Sequence, residues 1–146
     1  MQNKNLLLDI SKILITGIIT WGLTYMTFRK NYDAAEVGRL NDNLNQILKI
    51  DLEYPIVEDS VFICRWSKEQ NSNDKEHLQY RAYCIYVFNF LQNVCEYYNY
   101  NKESIEKFVD IKELAIEHKV WLQASYKEDA NGYPKIFIDF IESYQK

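Results

Sequence analysis

Charged residues are absent from the sixteen positions of Ile13–Phe28, ILITGIITWGLTYMTF, and return at once as Arg29-Lys30. As a helix this run is about 24 Å long, short of a bilayer hydrocarbon core of about 30 Å. Leu6, Leu7 and Leu8 lengthen the apolar stretch to about 35 Å, interrupted by Asp9 and Lys12. Those two stand three apart, so they can pair on one helix face at headgroup depth. Trp21 and Tyr25 supply the amphipathic rings that favour an interface. The pattern predicts a single-pass transmembrane anchor over residues 1–32. A cleaved signal peptide needs small residues after the apolar run, and Phe28-Arg29-Lys30-Asn31 offers none. A buried helix of a water-soluble fold is the competing reading.

Within this helix Thr16, Thr20, Thr24 and Thr27 recur at spacings of four, four and three, with Gly17 beside them. Helical geometry puts them on one stripe. A lone threonine can satisfy its hydroxyl on the i−4 carbonyl. Four on one face suit a seam between helices in lipid, or the lining of a pore, and so predict a homo-oligomer. A tolerated polar face is the alternative.

Beyond the anchor, Val37, Leu40, Leu44, Ile47 and Leu48 fall at helical spacing, which predicts an amphipathic stalk over 33–54. Its period also suits a short coiled coil between copies. Pro55 disfavours helix at Tyr54, and a separate domain is expected over 55–146. There Asp59 is placed to cap a short helix to about Glu69, and Asp74 to open a long one reaching about Tyr98. Leu78, Ala82, Ile85, Phe88, Leu91, Val94 and Cys95 mark the long helix's expected inner face, although its other sides carry Tyr80, Tyr83, Tyr86 and Phe90. Asn101 to Ser104 opens a short helix that bends into a longer one through Leu122. After the turn Ala130–Tyr133, Pro134 precedes a last helix burying Ile136, Phe137, Phe140, Ile141 and Tyr144. The expected fold is all-α: a transmembrane helix and stalk followed by a compact cytosolic helical bundle.

Composition sharpens this picture. Four glycines and two prolines in 146 residues, against 22 aromatic residues, argue against disorder and against a turn-rich β fold. Residues 1–50 carry a net charge of +2, so the overall −4 leaves the remainder at −6. An acidic domain is a poor platform for duplex DNA. Cys64, Cys84 and Cys95 lack framework spacing and read as reduced, buried thiols. Arg29, Lys30 and Arg39 follow the apolar run against Lys4 and Lys12 before it, which places the C-terminal side in the cytoplasm.

Catalytic chemistry is hard to find. No glycine-rich phosphate loop, no G-x-S-x-G and no H-E-x-x-H occurs, so no catalytic residue, metal ligand or cofactor is assigned and the chain does not read as an enzyme. Glu113, Glu117 and His118 are helix neighbours, but one imidazole with two surface carboxylates does not make a metal site. His118 is expected at the core edge beside Trp121. Arg65 and Arg81 stand in aromatic surroundings, Cys64-Arg65-Trp66 and Tyr80-Arg81-Ala82-Tyr83. Guanidinium groups beside rings can hold a phosphate and stack a base, which makes Arg65, Trp66, Tyr80, Arg81 and Tyr83 the candidate ligand site. Pairing of each arginine with a nearby carboxylate is the simpler alternative.

Tyr80-Arg81-Ala82-Tyr83 and a later His118-Lys119-Val120-Trp121, within residues 51–146, are similar to segments of uncharacterised families with one N-terminal span and a compact helical domain. The layout itself, a short transmembrane segment before a small cytosolic domain, resembles small membrane effector subunits of bacterial antiviral defence systems. That resemblance implies an inner-membrane oligomer. Its cytosolic domain would sense a nucleotide or short oligonucleotide and gate membrane permeabilisation. A membrane-tethered adaptor, whose helical domain binds a partner protein, is the other expectation.

Overall fold

The computed structural model describes residues 2–66, 74–128 and 132–145, with side chains described over 14–66, 74–124 and 132–145. All regular structure among these residues is helical. The helices are α1 (Gln2–Glu53), α2 (Ser60–Trp66), α3 (Lys75–Tyr97), α4 (Lys102–Phe108), α5 (Ile111–Glu117), α6 (Lys119–Glu128) and α7 (Lys135–Glu142), with a 3-10 turn at Pro55–Glu58. The all-α class read from the sequence holds. The chain divides into two compact units, residues 1–39 and 40–146.

The first unit is helical from Gln2 onward. Leu14, Ile15, Ile18, Ile19, Trp21, Leu23, Tyr25, Met26 and Phe28 are all between 54% and 70% exposed. The Trp21 and Tyr25 rings stack one turn apart, with centroids 5.7 Å from each other. Thr27 donates its hydroxyl to the Leu23 carbonyl at 3.0 Å, the i−4 arrangement that leaves a helical threonine satisfied. A Cβ added at Gly17 would meet nothing within 4 Å. Among the described residues no helix is long and apolar enough to cross a membrane. Leu6, Leu7 and Leu8, on which the expected span depends for its length, lie outside the described side chains, as do Asp9 and Lys12.

The second unit begins inside the segment expected to be a stalk. Leu40 and Ile47 are fully buried in its core, with Leu44 and Ile50 packed against it, while Leu48 is exposed. The face that would have zipped copies together is therefore used within the chain. Tyr86 of α3 reinforces this by donating to Asn43 Oδ1 at 3.4 Å.

Local chemistry sets the helix ends. Asp59 Oδ1 accepts from the Phe62 amide at 2.7 Å, Asp74 from His77 at 2.9 Å, Asn101 from Ser104 at 2.9 Å and Asp110 from Glu113 at 3.0 Å. Each satisfies an amide that the first helical turn leaves without a partner. α3 stops where Asn99 and Tyr100 take positive φ, 49° and 59°. Tyr100 N donates to Cys95 O and Asn99 N to Glu96 O, the paired bonds of a Schellman ending. The Tyr100 ring sits edge-on to Phe140, centroids 5.5 Å apart, a contact that offsets the strain of an aromatic residue in that conformation.

The core is built on α3, whose Val87, Phe88, Phe90, Leu91, Val94 and Cys95 are at most 2% exposed. Phe88 stacks on Trp121 at 5.2 Å, and Tyr133 bridges both rings toward Phe137. Three expectations need correcting. In the first half of α3, Leu78, Ala82 and Ile85 face solvent, and His77, Tyr80, Tyr83 and Cys84 are buried instead. On α7, Ile136 is exposed while Ile138 is buried. Cys64 is exposed, whereas Cys84 and Cys95 are buried thiols.

Replacing Phe88 by Ala removes a ring held on all sides and should cost about 3–5 kcal/mol. Ile136→Ala, at an exposed position, should cost less than about 1 kcal/mol. Urea denaturation of the two full-length variants in detergent, followed by helical ellipticity, checks the contrast.

Candidate functional site

The longest expected helix after α4 breaks at His118. Its backbone leaves the helical region at φ −101°, ψ 18°, ending α5 before α6 begins at Lys119. The imidazole is fully buried, deeper than the core edge expected from sequence. Around it stand Glu58 from the 3-10 turn, Tyr80 and Tyr83 from α3, and Glu117 from the last position of α5.

The contacts are specific. The Tyr83 hydroxyl donates to Glu58 Oε1 at 2.5 Å. The Tyr80 hydroxyl lies 3.2 Å from His118 Nδ1. On the opposite side of the ring, His118 Nε2 is 3.4 Å from Glu58 Oε1, yet it makes no hydrogen bond and is buried. Both tyrosine rings also pack on the imidazole, with centroids 5.8 Å and 5.3 Å away. Asp51 Oδ1 is a further buried oxygen without a hydrogen-bond partner. No lysine or arginine forms an ion pair with Asp51, Glu58 or Glu117 among the described residues.

These surroundings separate the acids. Burial pushes the Glu58 carboxyl up, but the adjacent His118 ring and the hydrogen bond from Tyr83 outweigh it, and the net shift is below the ordinary glutamate value. Glu117 moves the other way, raised by burial and then by the adjacent Glu58 charge. Asp51 is raised chiefly by burial, against the pull of Tyr83. Glu58 is thus the carboxylate held ionised, with Glu117 the readier proton acceptor beside it. Burial raises the Tyr80 and Tyr83 phenols far above neutrality, so both stay protonated. Burial likewise raises the Cys84 thiol well above its usual value and pushes Cys95 up to about 12, which removes both as nucleophiles.

Beside this cluster lies a cleft of about 370 Å³ lined by Ile50, Tyr54, Val57, Gln79, Ala82, Tyr83 and Tyr86. Tyr83 belongs to both features. The lining is apolar apart from Gln79 and the tyrosine hydroxyls.

The ligand site read from sequence is distributed differently. Arg65 is exposed, with Nη2 3.5 Å from Glu76 and its guanidinium 5.3 Å from the Phe62 ring centre. Arg81 is exposed on α3. Neither arginine lines the cleft. Trp66 is buried edge-on against Tyr80, centroids 5.2 Å apart, and Tyr80 is wholly inside. The rings expected to stack a base are core side chains, so of the five candidates only Tyr83 reaches the cleft. Thr16, Gly17, Thr20, Thr24 and Thr27 are all exposed on α1. Sequence reasoning considered Glu117 and His118 and missed Glu58, which is 25 residues from its hydroxyl donor. No spacing rule reaches that far. Comparison with protein families, characterised proteins and solved structures finds no match to this chain.

Removing the Tyr83 hydroxyl leaves an ionised, half-buried carboxylate short of its closest donor. Tyr83→Phe should therefore cost about 1.5–3 kcal/mol. In a double-mutant cycle with Glu58→Gln, measured by urea denaturation, the two substitutions should be non-additive by more than about 0.5 kcal/mol.

Proposed function

We propose that this chain is a membrane-tethered oligomeric effector: α1 enters lipid through Ile13–Phe28, copies associate along its threonine face, and residues 40–146 act on the cytoplasmic side. The observation that carries the reading is the girdle of large apolar side chains from Leu14 to Phe28, each more than half exposed. Water is an unfavourable solvent for such a surface, at about 1.5–3 kcal/mol for each large apolar side chain left uncovered. Contiguous apolar surface of this extent favours lipid or other apolar helices. Arg29 and Lys30 at its end support a cytoplasmic C-terminal side.

The open space at Gly17 and the exposed threonines beside it support association between copies, because small residues let helix backbones approach closely in lipid. In this reading the helical unit receives a signal and the helices respond by opening or disrupting the membrane. The resemblance to antiviral effector subunits suggests a nucleotide or oligonucleotide signal, with the solvent-facing Arg65 and Arg81 as its phosphate contacts.

One observation favours a second reading. The cleft beside Tyr83 is apolar and lacks both arginines, which suits an apolar side chain of a partner protein better than a phosphate. The chain would then be a tethered adaptor, and Ala82→Arg, which fills the cleft with charge, would abolish partner binding while leaving membrane association unchanged.

Full-length protein should sediment with membranes after alkaline carbonate washing and be released by detergent. Recovery in the supernatant without detergent would overturn the anchor. Gly17→Leu should reduce the oligomer size measured in detergent by light scattering, without moving the Tm of the helical unit. Thr20→Leu with Thr24→Leu should abolish vesicle leakage, whereas an adaptor would be indifferent to both changes.

A further inference from the structure

We infer that Glu58, Glu117 and His118 form a binding site for a divalent transition-metal ion of the zinc class. Each of the three offers a ligand atom, and these atoms all lie within 4.8 Å of one another. Donors about 2.0–2.2 Å from a tetrahedral ion stand about 3.4 Å apart. His118 Nε2 and Glu58 Oε1 already have that separation, 3.4 Å, and the exposed Glu117 side chain has room to turn in to meet it. The donors are drawn from separate elements, the 3-10 turn and the α5–α6 break, so the site exists only in the folded chain.

The imidazole provides the second, independent indication. His118 is wholly buried, and its Nε2 points toward Glu58 without making a hydrogen bond. In the tautomer whose Nδ1–H donates to the Tyr80 oxygen, Nε2 presents its lone pair toward the Glu58 carboxylate. Two electron-rich atoms facing each other at 3.4 Å in a buried place call for a cation between them. Glu117 adds a third electron-rich group, and Asp51 deepens the negative potential nearby. No lysine or arginine neutralises these acids among the described residues.

The surrounding hydrogen bonds resemble the outer shell of a metal centre. Histidine ligands usually have their second nitrogen fixed by a neighbour, and Tyr80 does this at Nδ1. Ligating carboxylates are usually hydrogen-bonded as well, as Glu58 is by Tyr83. One nitrogen with two carboxylate oxygens suits zinc and its first-row neighbours, whereas magnesium and calcium prefer oxygen alone. Three protein ligands leave a fourth tetrahedral position for water or a small ligand. This inference is independent of the membrane reading.

The test uses full-length protein in detergent, stripped with chelator and titrated calorimetrically with Zn²⁺. One ion per chain should bind saturably, and excess Zn²⁺ should raise the Tm of the helical unit by several degrees. His118→Gln alters a buried ring and can impair folding, so Glu117→Gln, at an exposed position, is the deciding variant. It should leave the metal-free Tm unchanged, weaken Zn²⁺ binding by about tenfold or more, and lose the metal-dependent rise in Tm. Cys64→Ser should bind as wild type. Absence of saturable binding, binding unaffected by Glu117→Gln, or binding lost in Cys64→Ser would each overturn the site. The first of these would leave an imidazole–carboxylate proton pair in its place.

Discussion

The helical unit depends on how it accommodates a buried imidazole beside ionisable acids. His118 sits where α5 stops, wholly removed from water, and it meets one tyrosine hydroxyl and one carboxylate. A buried polar ring is costly unless its nitrogens find partners, so the elements that supply them must arrive together. Tyr80 and Tyr83 fix the inward face of α3's first half, Glu58 fixes the 3-10 turn, and the break at His118 fixes where α6 starts. The apolar core beyond, from Phe88 and Trp121 to Ile141, is large but tolerant of small shifts. The polar cluster is directional and is not.

Residues 14–28 pose the opposite problem. The second unit buries its apolar residues almost completely, with Leu40, Ile47, Val87, Leu91 and Ile141 at 1% exposure or less. The first unit leaves apolar side chains of the same kinds outside. One sequence thus contains a segment that folds against itself and a segment suited to apolar surroundings supplied from elsewhere. That contrast in exposure is what gives the membrane proposal its physical content.

Several features were legible because they are governed over four residues or fewer. Helix starts at Asp59, Asp74 and Asn101 follow from a side chain accepting an amide three positions on. The inward face Leu40–Leu44–Ile47 follows from helical period, and so does most of the second half of α3. The first half of α3 was not legible in this way. It is apolar or aromatic nearly all round, so periodicity could not choose between Leu78–Ala82–Ile85 and Tyr80–Tyr83–Cys84. The choice fell to the face whose hydroxyls find hydrogen-bond partners inside. The same limit explains the missed Glu58 and the scattering of the expected ligand set, since Arg65 turned to Glu76 and Trp66 went into the core.

By itself the sequence determined the helical class, the caps, the acidic balance after residue 50 and the uncharged run before Arg29. Each of these is a local property of the chain: hydrogen bonds to near neighbours, periodicity within a few turns, or the solvation of a single segment. Only the tertiary structure decided which side of α3 is inside, where the stalk becomes core, and that Glu58, Glu117 and His118 share one space. Those outcomes depend on groups far apart in the chain, 38 residues for Tyr80 and His118, and on competition among many possible partners for the same buried volume. Neighbouring residues in the sequence carry no record of that competition.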